Sequence, residues 1–216
     1  FQVEGLGLAG IPFDGMDLPE QVQYMTAARE LALAVPGVRD AGFATAQPLS
    51  QTQVRTLIPE GLTNQDGGSS FATTIPVMPG YLDALGLEVI DGRTIGPDDL
   101  VEGATAVAVV NQALADTYWP GEDPIGKRFN YFADEVVREV VGVTTNVSFG
   151  DLEAPLPPVA YMPFTQWPQG FGVLHLRIEG DGPTTLAVVR DELLSLDAHR
   201  EPQNLLMAEG LLSQVL

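Results

Sequence analysis

From Phe1 to Leu8 hydrophobic and polar positions alternate loosely, which predicts a strand, and a Gly/Pro/Asp-rich connection follows through Asp17. The spacing then lengthens, with Val22, Met25, Ala28, Ala32 and Val35 recurring on one face of a helix. Pro19 suits the first turn of that helix, Glu20 complements its N-terminal dipole and Pro36-Gly37 stops it. Val38 to Ala46 reads as the next strand. The same order returns near the C-terminus, where Val173 to Ile178 alternates, Gly180-Asp181-Gly182-Pro183 turns, and Thr184 to Leu196 is helical with Leu186, Val189, Leu193 and Leu196 on one face. Leu205 to Met207 predicts a short strand, and Ala208 to Leu216 the start of a further helix.

Two β-α-β units at the ends of one chain close as a split β-α-β sheet with two helices on one face, which makes the middle an insertion. Within it Phe71 to Val77 is strand-like, Pro79 to Leu85 a short helix, Thr105 to Val110 a buried strand and Gln112 to Tyr118 a helix. Val136 to Val143 and Val159 to Met162 are further apolar, β-branched segments. The pattern is that of an α+β fold with a mostly β insertion.

The 216 residues suffice for one large domain or two small ones, and 45% hydrophobic against 18% charged residues describes a globular chain. With 29 acidic and 10 basic residues the net charge is −19, a field that repels phosphate backbones and excludes nucleic acid as an expected partner. Lys127 is the only lysine, a bias that fits either a high-salt or a high-GC source. The absence of cysteine removes disulfides, thiolate zinc sites and cysteine nucleophiles. Phe1 is preceded by no methionine or signal-like region, so the chain reads as a fragment of a longer protein. The longest uncharged stretch, Ala154 to Leu176, carries Pro155, Pro157, Pro158, Pro163 and Pro168, which forbid a continuous spanning helix there.

Several motifs invite chemistry. Gly121 to Arg128 nearly matches a phosphate-binding loop, but Arg128 stands where Ser or Thr would hold magnesium, the segment follows a helix, and Glu122-Asp123 would repel phosphate; a structural turn is the better reading. His175 and His199 have no second histidine nearby, so neither predicts a metal centre. Ser50, Ser69, Ser70, Ser148, Ser195 and Ser213 lie in no Gly-x-Ser-x-Gly elbow. The pairs Asp98-Asp99 and Glu122-Asp123 adjoin Pro97 and Pro124 in turns and lack the alternation of a calcium loop. The Pro-rich stretch Pro155 to Pro168, with Tyr161, Phe164 and Trp167, reads either as an extended docking segment or, preferably, as a strand with connecting loops at a sheet edge. These readings leave no catalytic residue, metal ligand or cofactor-binding residue assigned.

The middle of the chain carries a resemblance. Pro79-Gly-Tyr-Leu-Asp-Ala-Leu-Gly86, then Asp91-Gly-Arg93, Val107-Ala-Val-Val-Asn111-Gln-Ala-Leu-Ala115 and Trp119 to Arg128 together resemble MacB-like periplasmic core domains. Val140-Val-Gly-Val143 before Asn146, Pro158 to Phe164 and the helix-to-strand join Ala34 to Val38 continue the likeness in register over nearly the whole chain.

The resemblance implies the extracytoplasmic domain of a MacB/FtsX-type ABC transporter permease at the inner (plasma) membrane, inserted after the first transmembrane helix, with the other helices following the C-terminus. It implies a porter-like split β-α-β subdomain from residues 1–57 and 171–216 and an inserted, mostly β subdomain at 58–170. Implied partners are an ABC ATPase domain or subunit across the membrane, and a periplasmic accessory protein or cargo, in a dimeric transporter. ATP-driven motion would then be coupled to substrate or partner handling outside the membrane, and no catalytic residue is carried over. Two other readings stay open here: a secreted hydrolase fragment with an acidic cleft, and a stand-alone extracytoplasmic binding module.

Overall fold

The computed structural model describes residues 4–46, 53–62, 70–146 and 156–210. Among them the chain is α+β, as predicted, and its strands form one connected sheet that changes character along its length. One part is built from the two ends of the chain. Strand β1 (Leu6–Pro12) leads into α1 (Leu18–Ala34) and β2 (Val38–Ala44). Far along the chain, β10 (Phe171–Ile178), α4 (Gly182–Leu196) and β11 (Gln203–Met207) repeat the pattern. The order β11-β1-β10-β2, antiparallel throughout, interleaves the two β-α-β units as a split β-α-β sheet.

Helix α1 starts where its side chains can satisfy its first amides. Asp17 accepts from Glu20 N at 2.9 Å, and Glu20 accepts from Asp17 N at 2.9 Å, a reciprocal capping box. Met25, Ala28 and Ala32 of α1 pack with Leu186, Val189 and Leu193 of α4 against Ala9, Ile11, Phe43, Leu174 and Leu176 of the sheet. Both helices thus cover one face. Leu196, placed by its spacing on the buried face, is 38% exposed at the helix end.

Strand β1 runs later than its alternation suggests, from Leu6 to Pro12 instead of Phe1 to Leu8, of which residues 1–3 lie outside the described residues. The physical reason is burial on both faces: Leu6 and Leu8 enter one core, Ala9 and Ile11 another, so polar and apolar positions cannot alternate. Gly7, which resembles a turn residue in sequence, is a packing residue: a Cβ there would stand 2.8 Å from a Leu186 methyl.

The inserted segment closes on itself. Strands β3 (Gln53–Pro59), β4 (Ser70–Val77), β6 (Val107–Asn111), β7 (Arg128–Tyr131), β8 (Arg138–Thr144) and β9 (Val159–Pro163) pair in the cycle β4-β3-β7-β8-β6-β9-β4, a small barrel. Strand β5 (Val89–Gly92) joins it by pairing with β8. Leu57, Ala72, Ala108, Val110, Phe129, Tyr131, Val140, Ala160 and Met162 make the barrel core, with Leu114, Ala115 and Trp119 from α3 (Gln112–Tyr118) and the residue after it. Arg138 is also buried in this unit; it meets Asp134 at 3.0 Å, Val136 O at 2.9 Å and Gln166 Oε1 at 3.0 Å, so its charge is paired and its Nε and one terminal nitrogen are hydrogen-bonded. Of the predicted helix at Ala208 to Leu216, residues 211–216 lie outside the described residues.

Candidate coupling junction and groove

The two units are joined by a narrow ladder and a broad apolar seam. Between β2 and β4 the only Cα pair in register is Ala44 with Val77, flanked by Thr45 N donating to Pro76 O at 3.1 Å and Met78 N to Phe43 O at 2.8 Å. Beneath that ladder lies a shared core. Leu6, Leu8, Ala44 and Val173 of the first unit meet Ile75, Val77, Val109, Val159 and Tyr161 from the outer surface of the barrel. Helix α2 (Tyr81–Leu85) is wedged between them, contributing Tyr81, Leu82 and Leu85.

The Pro79-Gly80-Tyr81 motif acquires a physical reason here. Its backbone rests directly on β2, where a Cβ at Gly42 would lie 2.2 Å from Tyr81 N and 2.4 Å from Gly80 C. The Tyr81 ring then reaches both units, edge-on to His175 of β10 at 4.9 Å between centroids and tilted against Tyr161 of β9 at 6.1 Å. Burial pushes the Tyr81 and Tyr161 hydroxyls well above the ordinary tyrosine range and His175 down to about 4, so all three rings are neutral near neutral pH. His175 Nδ1 lies 3.0 Å from Val173 O, which fits the tautomer with its proton on that nitrogen.

One rung further along β10, on the same face, Arg177 takes hold of the other end of α2. Its Nε donates to Ala84 O at 3.1 Å, and a terminal nitrogen donates to Glu4 O at 2.6 Å. The first and last described stretches of chain meet around this point: Ile178 N donates to Gly5 O at 2.7 Å, Ala208 N to Leu6 O at 2.8 Å, and Gly5 N to a Glu209 carboxylate oxygen at 2.7 Å.

Other recognised motifs are also joints. Asn111, fully buried, accepts from Leu114 N at 3.0 Å and Val159 N at 2.8 Å and donates to Pro157 O at 2.9 Å, fastening α3 to β9. Asp91-Gly92-Arg93 packs on Val140-Val-Gly142-Val143, so closely that a Cβ on Gly142 would stand 2.1 Å from Arg93 O.

A groove of about 700 Å³ opens between the units. Leu18, Val22 and Gln23 of α1 form one wall and Leu100, Val101 and Glu102 the other, with Val101 62% exposed. Asp99, in the groove wall, is held by Arg93 through two contacts of 2.7 and 2.9 Å. Burial acts to raise its carboxyl, but the Arg93 and Gly96 N bonds outweigh burial and keep it below the usual range. It is a structural carboxylate facing a largely apolar cleft.

The weighed motifs take structural places. In Gly121 to Arg128, Gly126 N donates to Val140 O at 2.8 Å, Ile125 N to Asp123 Oδ1 at 2.9 Å, and Lys127 pairs with Glu122; the segment is the turn into β7. His199 is exposed, and its amide donates to Asp197 Oδ1 at 2.9 Å. Ser195 donates to Glu192 O at 2.6 Å, Ser70 lies on β4, and Ser50, Ser69, Ser148 and Ser213 lie outside the described residues. In the Pro-rich stretch, of which Pro155 lies outside the described residues, Tyr161 and Phe164 are fully buried and Trp167 stacks on Arg55 at 4.7 Å, so these aromatics anchor cores. Among the described residues no group of three or more His, Asp or Glu side chains is placed to hold a metal, and no helix is long and apolar enough to cross a membrane.

The fold has counterparts among solved structures. The periplasmic region of MacB from Actinobacillus actinomycetemcomitans superposes with a TM-score of 0.64 at 14% identity, over 98% of this chain and 92% of that one. The extracellular domain of the noncanonic ABC-type transporter YknZ from Gram-positive bacteria gives 0.58 at 18% identity, over 93% and 98% of the two chains. A domain of a putative permease protein from Porphyromonas gingivalis gives 0.57 at 16%, over 93% and 89%. Comparison with curated proteins gave no match. The family model of the MacB-like periplasmic core domain matches residues 13–196, and the chain belongs to that family.

Proposed function

We propose that this chain is the extracytoplasmic domain of an ABC transporter permease, a mechanical and not a catalytic element. It transmits motion driven by ATP hydrolysis on the other side of the membrane to a substrate or partner outside it. The membrane helices of the permease join before and after the split β-α-β unit, an ABC ATPase domain or subunit is the required partner, and the working transporter is a dimer that engages an accessory protein or cargo. The moving bodies are a porter-like unit, 1–57 with 171–216, and an inserted unit, 58–170. Strand β3 spans the first of these limits and travels with the barrel, because both its ladder partners are there.

The observation that carries this reading is the junction. A single in-register pair, Ala44 with Val77, links the sheets, while α2 and the apolar seam keep the units in contact. Such a joint can tilt without unfolding either core, and the groove beside it changes width when it does. A nucleotide shifts such an equilibrium only if the transporter binds it differently in the two arrangements.

Hydrogen-exchange mass spectrometry on the full-length permease with its ATPase, nucleotide-free and bound to a non-hydrolysable ATP analogue, tests the reading. Altered protection in this domain, at β1 and β10, α2 and β9, the start of α1 and residues 99–104, is the expected outcome. Unchanged protection throughout, with nucleotide binding confirmed, contradicts it and leaves a passive docking module.

A further inference from the structure

We infer that Arg177 is the residue through which movement of the chain ends reaches helix α2, and so the barrel. The inference rests on the mechanical reading above and gives that reading a specific linkage.

Three observations converge on it. First, Arg177 is 5% exposed yet bonded to two carbonyls far apart in sequence, Glu4 O and Ala84 O. A buried guanidinium keeps its charge, and its planar fork holds two acceptors in a fixed relation, which a flexible ammonium does not do. Second, the Glu4 end of that fork belongs to the knot in which Gly5, Leu6, Ile178, Ala208 and Glu209 are hydrogen-bonded together. A displacement of the N-terminal stretch therefore reaches Arg177 through one hydrogen bond, and one of the C-terminal stretch through two, by way of residues 4–6. Third, the Ala84 end lies in the last turn of α2, where Gly86 N donates to Asp83 O and Leu87 N to Leu82 O, and Arg177 takes the carbonyl of Ala84. The helix carries Tyr81 at its other end, in contact with Tyr161 of the barrel.

The path is thus Glu4, Arg177, Ala84, Tyr81, Tyr161, with contacts at every step except that from Ala84 to Tyr81, which runs along helix α2 itself. His175, from the same face of β10, bears on the Tyr81 ring but has no bond to the terminal knot, so it holds the helix in place without linking it to the chain ends. Arg177 is a positioning residue: it sets where α2 sits relative to the ends of the chain.

The test is hydrogen exchange on the full-length permease with its ATPase, with and without the non-hydrolysable ATP analogue, for the wild type, Arg177→Met and Arg177→Lys. A residue that only stabilises the fold would loosen α2 equally in both nucleotide states. The expected result is different: in wild type both β1/β10 and α2/β9 change protection on nucleotide binding, whereas in the variants β1/β10 still respond and the response of α2/β9 is lost. Arg177→Lys keeps the buried charge and cannot bridge both carbonyls in the same geometry, so it carries the test if Arg177→Met fails to fold. Variants whose α2/β9 respond as in wild type overturn the inference and leave the mechanical reading standing, as does a wild type in which β1/β10 respond and α2/β9 do not. A wild type in which neither responds overturns the mechanical reading, and the linkage with it.

Discussion

Gly42 and Tyr81 approach so closely that a methyl group on the first would stand 2.2 Å from the backbone nitrogen of the second. Helix α2 therefore sits backbone to backbone on β2, with no space for a side chain between them. Gly42→Ala must push α2 off the strand or distort β2. A loss of about 3 kcal/mol follows from overpacking against rigid backbone, read as a lower urea midpoint with an unchanged m-value. A midpoint equal to wild type would mean that α2 does not rest on β2 as described.

Asn111 supports the barrel in a comparable way through polar bonds. Replacing it by alanine strips the cap from α3 and leaves Val159 N and Pro157 O without their side-chain partner in a buried site. The expected cost is about 3 kcal/mol. Asn111→Asp keeps both acceptor bonds but turns a carboxylate towards Pro157 O, and falls between. By contrast Glu122→Gln, which removes the exposed partner of Lys127, shifts stability by no more than about 0.5 kcal/mol. Equilibrium denaturation of the three variants checks the ranking.

Acid sensitivity is set at His175. An imidazole in the unfolded chain titrates near the ordinary 6.5, whereas burial holds the folded one to about 4. Between these values the unfolded chain binds the proton and the folded one does not, so stability is full above the upper value and falls as pH drops towards the lower. Linkage puts the loss at about 3 kcal/mol. Asp99, Asp181 and Asp197, held below 3.8, lose their contributions only at lower pH, while Asp83, raised by burial, acts in the opposite sense. Denaturation curves from pH 7 to pH 4 should therefore flatten in His175→Gln relative to wild type; parallel slopes would show that His175 is not the group responsible.

Much of this architecture was legible from periodicity. The α1 stripe, the helix at Gln112–Tyr118 and the β-α-β repeat at the two ends stand where the spacing puts them. Strands β3, β5 and β7 were not legible, for different reasons. In β3 the usual sense is inverted, with Val54 57% exposed and Arg55 stacked on the Tyr131 ring at 4.2 Å. Strands β5 and β7 have four residues each, too few for a period to register. The junction was hidden more deeply. Arg177 sits in an alternating strand like any edge residue, and its partners lie 93 and 173 positions away. The groove is likewise made by α1 and residues 99–104, which no local pattern brings together. The family motifs marked these places without explaining them; Gly42, Gly142 and Asn111 supply the reasons.

The most direct test of coupled motion is a distance across the groove. This chain has no cysteine, so Gln23→Cys on α1 and Glu102→Cys on the facing wall give two exposed labelling positions within it. Pulsed electron paramagnetic resonance on the full-length permease with its ATPase would then report the separation without nucleotide and with a non-hydrolysable ATP analogue. Distance distributions with different maxima in the two states are the expected result. Superimposable distributions, with nucleotide binding confirmed, would contradict coupled motion.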